Sequence, residues 1–312
     1  MSEISLGCWT MGGLNWVNGN ANGWANVNQD EITAAVKKAV DAGVTHFDNA
    51  DVYGNGKAER MLASVLKKLG LKTEDYVIAT KMGHFPGTAA HAYESLHIRR
   101  QCEQSLKNLG RDYIDIYYFH HGNFGPQLEE AAATMDALVA EGKVRLKGQS
   151  AYSSEDFEKA VPVVKPDVLQ SWANIEARQF IEPGCRVAQL LEDYDMSYVA
   201  FSPLAQGRLL GKFDPKSPPT FEEGDHRKHN KSFTPEALAK LHPKVEQIKA
   251  RFGAETETLS AVAQRFILNH PRIACTIPGF RNERQVACNL AADGFSLSDA
   301  DMQFLRQLFP QN

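Results

Sequence analysis

The stretch "QDEITAAVKKAVDAGVTHFDNADVYG", residues 29–54, holds one complete helix-to-strand unit. Ile32, Ala35, Val36 and Ala39 recur at helical spacing, so one face of 29–43 is apolar, and Gly43 supplies the stop. "GVTHFD" (43–48) then switches to a β-branched and aromatic run typical of a strand. That run ends on a carboxylate, Asp48, and a phenol, Tyr53, follows five positions later. Packing needs neither group there. The unit therefore reads as scaffold first and chemistry second.

The same alternation recurs along the chain. Strand-like runs fall at 4–9, 43–48, 76–81, 113–120, 144–150, 167–173, 197–203 and 273–279. Between most of them lie amphipathic stretches, of which "RRQCEQSLKNLG" and "ALVAEGKV" repeat the helix-then-glycine ending. Eight strands alternating with helices imply βαβ units and a parallel sheet. Over 312 residues this predicts one α/β domain spanning 1–312, a closed (β/α)8 TIM barrel. An open sheet binding a dinucleotide would want a Gly-x-Gly-x-x-Gly turn, and Gly54-Asn55-Gly56 lacks the third glycine. One segment breaks the rhythm. Residues 207–233, with Pro215, Pro218 and Pro219, form a long connection after the seventh strand, expected to be a lid.

Composition narrows the function classes. Hydrophobic content of 43% and charged content of 23% are ordinary for a globular enzyme. A net charge of −4 gives no basic field for nucleic acid or an anionic membrane surface. No run of eighteen apolar residues suggests a membrane span. The five cysteines are scattered without a Cys-x-x-Cys pair, which argues against a disulfide framework and against a metal site of zinc type. The start, "MSEISLGCWT", shows no secretory signal, so a cytoplasmic protein is expected.

In a barrel of this kind, reactive groups sit where strands end. Asp48, Lys81, His120, Ser150 and Gln170 hold those positions. An ammonium at the end of a buried run needs a counter-charge, and Asp48 is the nearest candidate for Lys81. A free phenol has a pKa of about 10, and a neighbouring ammonium would lower that of Tyr53 toward the working range. His120 would orient a carbonyl, with His121 as the alternative because it follows immediately. Each residue alone has a plainer reading: Asp48 as a turn cap, Tyr53 as a packed aromatic, Lys81 as a rim lysine. Together they make a site for reducing a carbonyl.

Five motifs, "GVTHFDNADVYG", "VIATK", "SLKNLGRDYIDIYYFHH", "FSPLAQGRLLGK" and "IPGFRNERQVACN", carry a resemblance to the aldo-keto reductases over essentially the whole length. The family's catalytic tetrad falls on Asp48, Tyr53, Lys81 and His120. The resemblance implies NADPH bound in extended form and reversible hydride transfer to an aldehyde, ketone or sugar, with Tyr53 as general acid. It implies that Ser150 and Gln170 hold the nicotinamide carboxamide and that Phe201 stacks on the ring, with Trp9 beside it. Ser202, Leu204, Gln206, Gly207 and Lys212 resemble the part that wraps the pyrophosphate. The Gly279-x-Arg281 element resembles the C-terminal cofactor motif of bacterial members, placing Arg281 at the 2′-phosphate and Gln285 and Asn289 near the adenine. An arginine there suits NADPH or NADP+, because a guanidinium makes two charge-assisted bonds to a phosphate.

Three positions depart from the family pattern: Ala151 after Ser150, Asn49 beside Asp48, and Cys288 near the adenine. Trp9, Trp16, Trp24, His84, Phe85 and His121 are the candidates to touch a small-molecule carbonyl substrate. Two rivals remain. Some relatives serve as cofactor-binding regulatory subunits or redox sensors with little turnover. A Schiff-base lyase would use Lys81, but needs a lysine kept away from carboxylates.

Overall fold

The computed structural model describes residues 2–17, 20–85 and 87–311. In chain order the elements are β1 (Leu6–Gly7), α1 (Trp9–Gly12), β2 (Leu14–Val17), β3 (Asn20–Gly23), α2 (Gln29–Asp41), β4 (His46–Asp48) and α3 (Lys57–Lys68). Next come β5 (Val77–Met82), α4 (Ser95–Leu109), β6 (Ile114–Phe119), α5 (Leu128–Ala140), β7 (Val144–Ser150), α6 (Ser154–Val164), β8 (Val168–Trp172) and α7 (Arg186–Asp193). The last are β9 (Ser197–Phe201), α8 (Pro235–Phe252), α9 (Thr256–Leu268), β10 (Ile273–Ile277), α10 (Glu283–Leu290) and α11 (Asp299–Leu308).

The quoted unit folds as its pattern dictates. Asn28 caps α2 by accepting from the Asp30 and Glu31 amides at 2.9 and 3.3 Å, with both carboxylates at the helix's positive end. Ile32, Ala35, Val36 and Ala39 are all buried. Gly43, at φ +87°, turns the chain into β4.

Eight strands lie in the order β1-β4-β5-β6-β7-β8-β9-β10, every neighbouring pair parallel. The ends meet through parallel bridges, Ile4 to Thr276 and Gly7 to Gly279, so the sheet closes into a (β/α)8 barrel. Seven of the eight strands lie within the runs expected from the sequence, and β5 overruns its own by one residue, Met82. The first is shorter than expected: β1 ends at Gly7, and Trp9 opens the four-residue helix α1 instead of finishing a strand. The Met11 amide returns to the Cys8 carbonyl at 3.0 Å, which turns the chain out of the sheet.

Alternation along the strands fills the barrel and aims its rim. Ala79, Ile116, Tyr118, Val168, Val199, Cys275 and Ile277 form one interior cluster. Burying an aliphatic side chain there contributes about 1.5–3 kcal/mol. Two positions onward from several of them come Lys81, His120, Gln170 and Phe201, on the same face. Gly148 makes room for Tyr118: a Cβ there would stand 2.3 Å from the Tyr118 ring.

An antiparallel hairpin, β2–β3, stands outside the barrel and was not anticipated. In sequence, an Asn-Gly pair, the strongest short hairpin signal, falls between its strands. Segment 207–233 reaches this hairpin. Gly23 bridges to Asp225, the Gly23 amide donates to the Gly224 carbonyl at 3.0 Å, and the His226 amide donates to the Gly23 carbonyl at 3.1 Å. Among the described residues, no helix is long and apolar enough to cross a membrane.

Candidate active site

Asp48 ends β4, Lys81 lies in β5, and the two form an ion pair with side chains only 4% and 1% exposed. Lys81 Nζ also donates to the Asn49 carbonyl at 2.8 Å, and the second Asp48 oxygen accepts from Gln170 Nε2 at 2.8 Å. The charge is thus answered from both sides, as a buried pair requires. Lys81 Nζ donates to a carboxylate and a carbonyl, an arrangement unsuited to a free amine nucleophile.

Tyr53 reaches this pair through a turn that only glycine allows. Gly54 sits at φ +58°, and a Cβ on it would stand 2.1 Å from the Gly12 carbonyl oxygen. The Gly54 amide is held by Asn15 Oδ1 at 2.7 Å. The Tyr53 ring stacks on Trp9 at 5.9 Å between centroids and meets His120 edge-on at 5.9 Å. Lys81 Nζ lies 5.3 Å from the Tyr53 ring centre. The expected acidification is not what this geometry produces. Burial, then the Asp48 carboxylate, hold the Tyr53 hydroxyl well above its ordinary pKa. The ammonium that should lower it is already neutralised by Asp48. The phenol therefore rests protonated.

His120 follows β6, and its Nδ1 is buried without a partner. Burial first, then His84 and Lys81, hold its ring neutral, well below the ordinary histidine range. His84 packs against it at 4.3 Å and is pushed down to about 4, mainly by burial. His121 points elsewhere. Its Nε2 meets the Gly83 carbonyl at 2.8 Å and its Nδ1 accepts from the Asn123 amide at 3.2 Å. Both ring nitrogens serve the backbone, so His121 is a structural residue here rather than a pocket residue.

Above Tyr53 the mouth is covered by rings. Trp9 and Trp24 meet edge-on at 5.9 Å, and His226 lies 4.5 Å from each. The indole nitrogens of Trp9 and Trp24 and Nε2 of His226 are buried without partners. Trp16 is not brought to this cluster: it is 60% exposed, its backbone paired with the Asn55 side chain. Phe85 is half-buried and stacks on no ring among the described residues.

A cationic groove runs on from the mouth. Arg227 and Arg281 lie over the Trp24 ring at 4.6 and 5.7 Å. Burial, then Arg227, Arg281 and Arg284, lower the Lys212 ammonium from its usual value. Four like charges gathered this way invite an anion. Arg227, Arg284 and His226 were missed from sequence; the basic run "HRKHNK" was the available signal. Asp225 orients Arg227 by two bonds of 3.0 and 2.7 Å. Gln285 and Asn289 hold the loop itself: Gln285 Oε1 accepts from the Arg281 amide at 2.7 Å, and Asn289 Nδ2 donates to the Gly279 carbonyl at 3.1 Å. Thr10 ties this loop to α1 through the Phe280 carbonyl. Cys288 turns to Glu257 at 3.2 Å.

Between groove and mouth, the chain after β9 adopts left-handed backbone at Ser202, Ala205, Gln206 and Gly207, with φ of 56°, 47°, 57° and 89°. Such backbone gathers at ligand clamps. The Gly207 amide returns to the Leu204 carbonyl at 2.9 Å, and Asn230 holds Gln206 Oε1 at 3.1 Å. Ser150 Oγ at the end of β7 is buried and unpartnered. Phe201 packs among Tyr152 and Trp172 at 6.5 and 6.4 Å.

Comparison with known proteins gives the family and the fold. The model of the Aldo/keto reductase family matches residues 3–309, and the chain belongs to that family. It is 28% identical to aldo-keto reductase YhdN of Bacillus subtilis, covering 97% of this chain and 88% of that one. It is 27% identical to L-glyceraldehyde 3-phosphate reductase of Escherichia coli K12, covering 94% and 84%. A probable voltage-gated potassium channel subunit beta of Oryza sativa is also 27% identical, covering 94% and 87%. The fold matches a glycerol dehydrogenase, AKR11B4, from Gluconobacter oxydans at a TM-score of 0.81 and 24% identity, covering 99% and 91%. Family and fold together support an oxidoreductase of carbonyl compounds.

Proposed function

We propose that this chain is an NADPH-dependent carbonyl reductase in which Tyr53 is the general acid. The reading rests above all on Tyr53, a protonated phenol set over the buried Lys81–Asp48 pair, with neutral His120 edge-on to it. When bound, NADPH supplies hydride to the carbonyl carbon. Tyr53 gives its proton to the carbonyl oxygen, and Lys81 stabilises the phenolate left behind. His120, whose uncharged ring has a free nitrogen, fixes the direction of that oxygen.

The cofactor fits the residues present. Ser150 Oγ, an orphan in the barrel rim, would take the carboxamide, and Phe201 the nicotinamide face. Ser202, Leu204, Gln206 and Gly207 would wrap the diphosphate. Lys212, Arg227, Arg281 and Arg284 would receive the 2′-phosphate, which is the reason to expect NADPH over NADH. Segment 207–233 would act as the lid. A panel of carbonyls and alcohols followed by nicotinamide absorbance, with both cofactors, tests the reading. Tyr53→Phe should lower kcat by about 10²–10⁴ while leaving the NADPH Kd unchanged. Wild-type turnover in that variant would remove the acid assignment.

The relative described as a probable potassium channel subunit beta supports a second reading. A cofactor-binding regulatory subunit would bind NADPH tightly, turn over none of the panel and retain a partner during purification.

A further inference from the structure

Away from the barrel mouth, behind the turn Ala205–Leu210, lies a cleft of about 390 Å³. Arg208, Lys231, Lys240 and Lys244 line it, with Glu176 and Ser232. Four cations thus face one carboxylate. Glu176 is already committed to Arg208, whose Nη2 donates to Oε2 at 2.5 Å. Lys231, Lys240 and Lys244 make no ion pair with a carboxylate among the described residues. Lys240 and Lys244 stand one turn apart on α8, a like-charge spacing that weakens a helix. Lys244 Nζ is propped over the Phe309 ring at 4.7 Å, which fixes its direction.

A solvated lysine face would be convex and interleaved with acids. This one is concave, and its surplus charge of three (four cations less Glu176) sits on a protein of net charge −4. The volume exceeds one phosphate ion. We propose that the cleft is a binding site for a diphosphate-bearing small molecule, with Arg208, Lys231, Lys240 and Lys244 receiving the phosphoryl oxygens. Arg208, whose Nη1 and Nη2 both engage Glu176 at 3.4 and 2.5 Å, keeps its remaining N–H groups for the ligand, and the three lysines act as movable point charges around it. The cleft shares none of its lining residues with the cation cluster of Lys212, Arg227, Arg281 and Arg284.

The test is calorimetric titration of inorganic pyrophosphate into the whole protein at low ionic strength. Wild type should keep a pyrophosphate site when NADP+ just saturates the cofactor groove, and so should Arg281→Ala. Lys240→Glu/Lys244→Glu should weaken binding at least about tenfold. Lys240→Gln/Lys244→Gln, removing charge without reversing it, should fall between. Thermal melts of both doubles close to wild type show that folding is intact. The proposal is overturned if wild type binds no pyrophosphate, if the double variants bind as wild type does, or if NADP+ or Arg281→Ala abolishes binding. The last result would place the anion in the cofactor groove.

Discussion

Lys81 and Asp48 form a buried ion pair whose second carboxylate oxygen is taken by Gln170, so three strands are locked at one point beneath Tyr53. Removing one charge leaves the other buried without a counter-charge. Lys81→Met should destabilise the fold by about 3–5 kcal/mol, read by urea denaturation. Lys81→Met/Asp48→Asn should recover part of that loss. A single variant as stable as wild type would mean that the pair is not the keystone described.

The groove cations make a prediction about cofactor choice. Arg281→Ala and Arg227→Ala should each raise the KM for NADPH about 10- to 100-fold. The KM for NADH should hardly move, because the lost contacts are to a phosphate that NADH lacks. Equal effects on both cofactors would place these arginines elsewhere on the dinucleotide.

Asp51 gives a pH signature. Its Oδ1 is buried and unpartnered, Oδ2 accepts from Gln101 Nε2 at 2.8 Å, and burial, then Glu59, push the carboxyl from 3.8 up to about 7. Between those values the unfolded chain is ionised while the folded one still holds its proton. Stability from this group is therefore present at low pH and lost as pH rises through the window, at about 1.4 kcal/mol per pH unit at most. Asp51→Asn removes the slope. Its stability relative to wild type should be greater at pH 8 than at pH 5, measured by denaturant unfolding. An unchanged difference would sink the assignment.

Gly54→Ala tests the turn that presents Tyr53. The left-handed backbone and the 2.1 Å approach to the Gly12 oxygen leave no room for a methyl group. Strain alone should cost about 1–3 kcal/mol, and kcat should fall more than the NADPH Kd changes, since the phenol moves while the groove does not. A melt and kinetics matching wild type would show that the turn adapts.

The barrel was legible because its information is local. Short β-branched and aromatic runs such as "YVIATK" and the glycine after α2 mark strands and stops without knowledge of neighbours. Their positions at strand ends then pointed Asp48, Lys81, His120, Ser150 and Gln170 to one rim. What escaped depends on distance. Trp9 left its strand through contacts that no run of residues announces. Tyr53 was expected to be acidified because sequence shows that an ammonium is near, but not that Asp48 has already answered its charge. Arg227 and His226 joined the site only because segment 207–233 folds back onto a hairpin two hundred residues earlier in the chain. His121 left it because the Gly83 carbonyl captured its ring.

That fold-back works as a clasp. Residues 23 and 224–226 are stitched by two backbone hydrogen bonds across the entrance, with the His226 imidazole wedged between two indoles. Anything large enough to lie along the groove must unfasten it to escape. Departure, rather than the bond-making step, should then set the steady-state pace. Mixing enzyme with saturating reagents would show a rapid first turnover followed by a slower linear phase; a single rate from the first moment would mean the clasp never closes during the cycle.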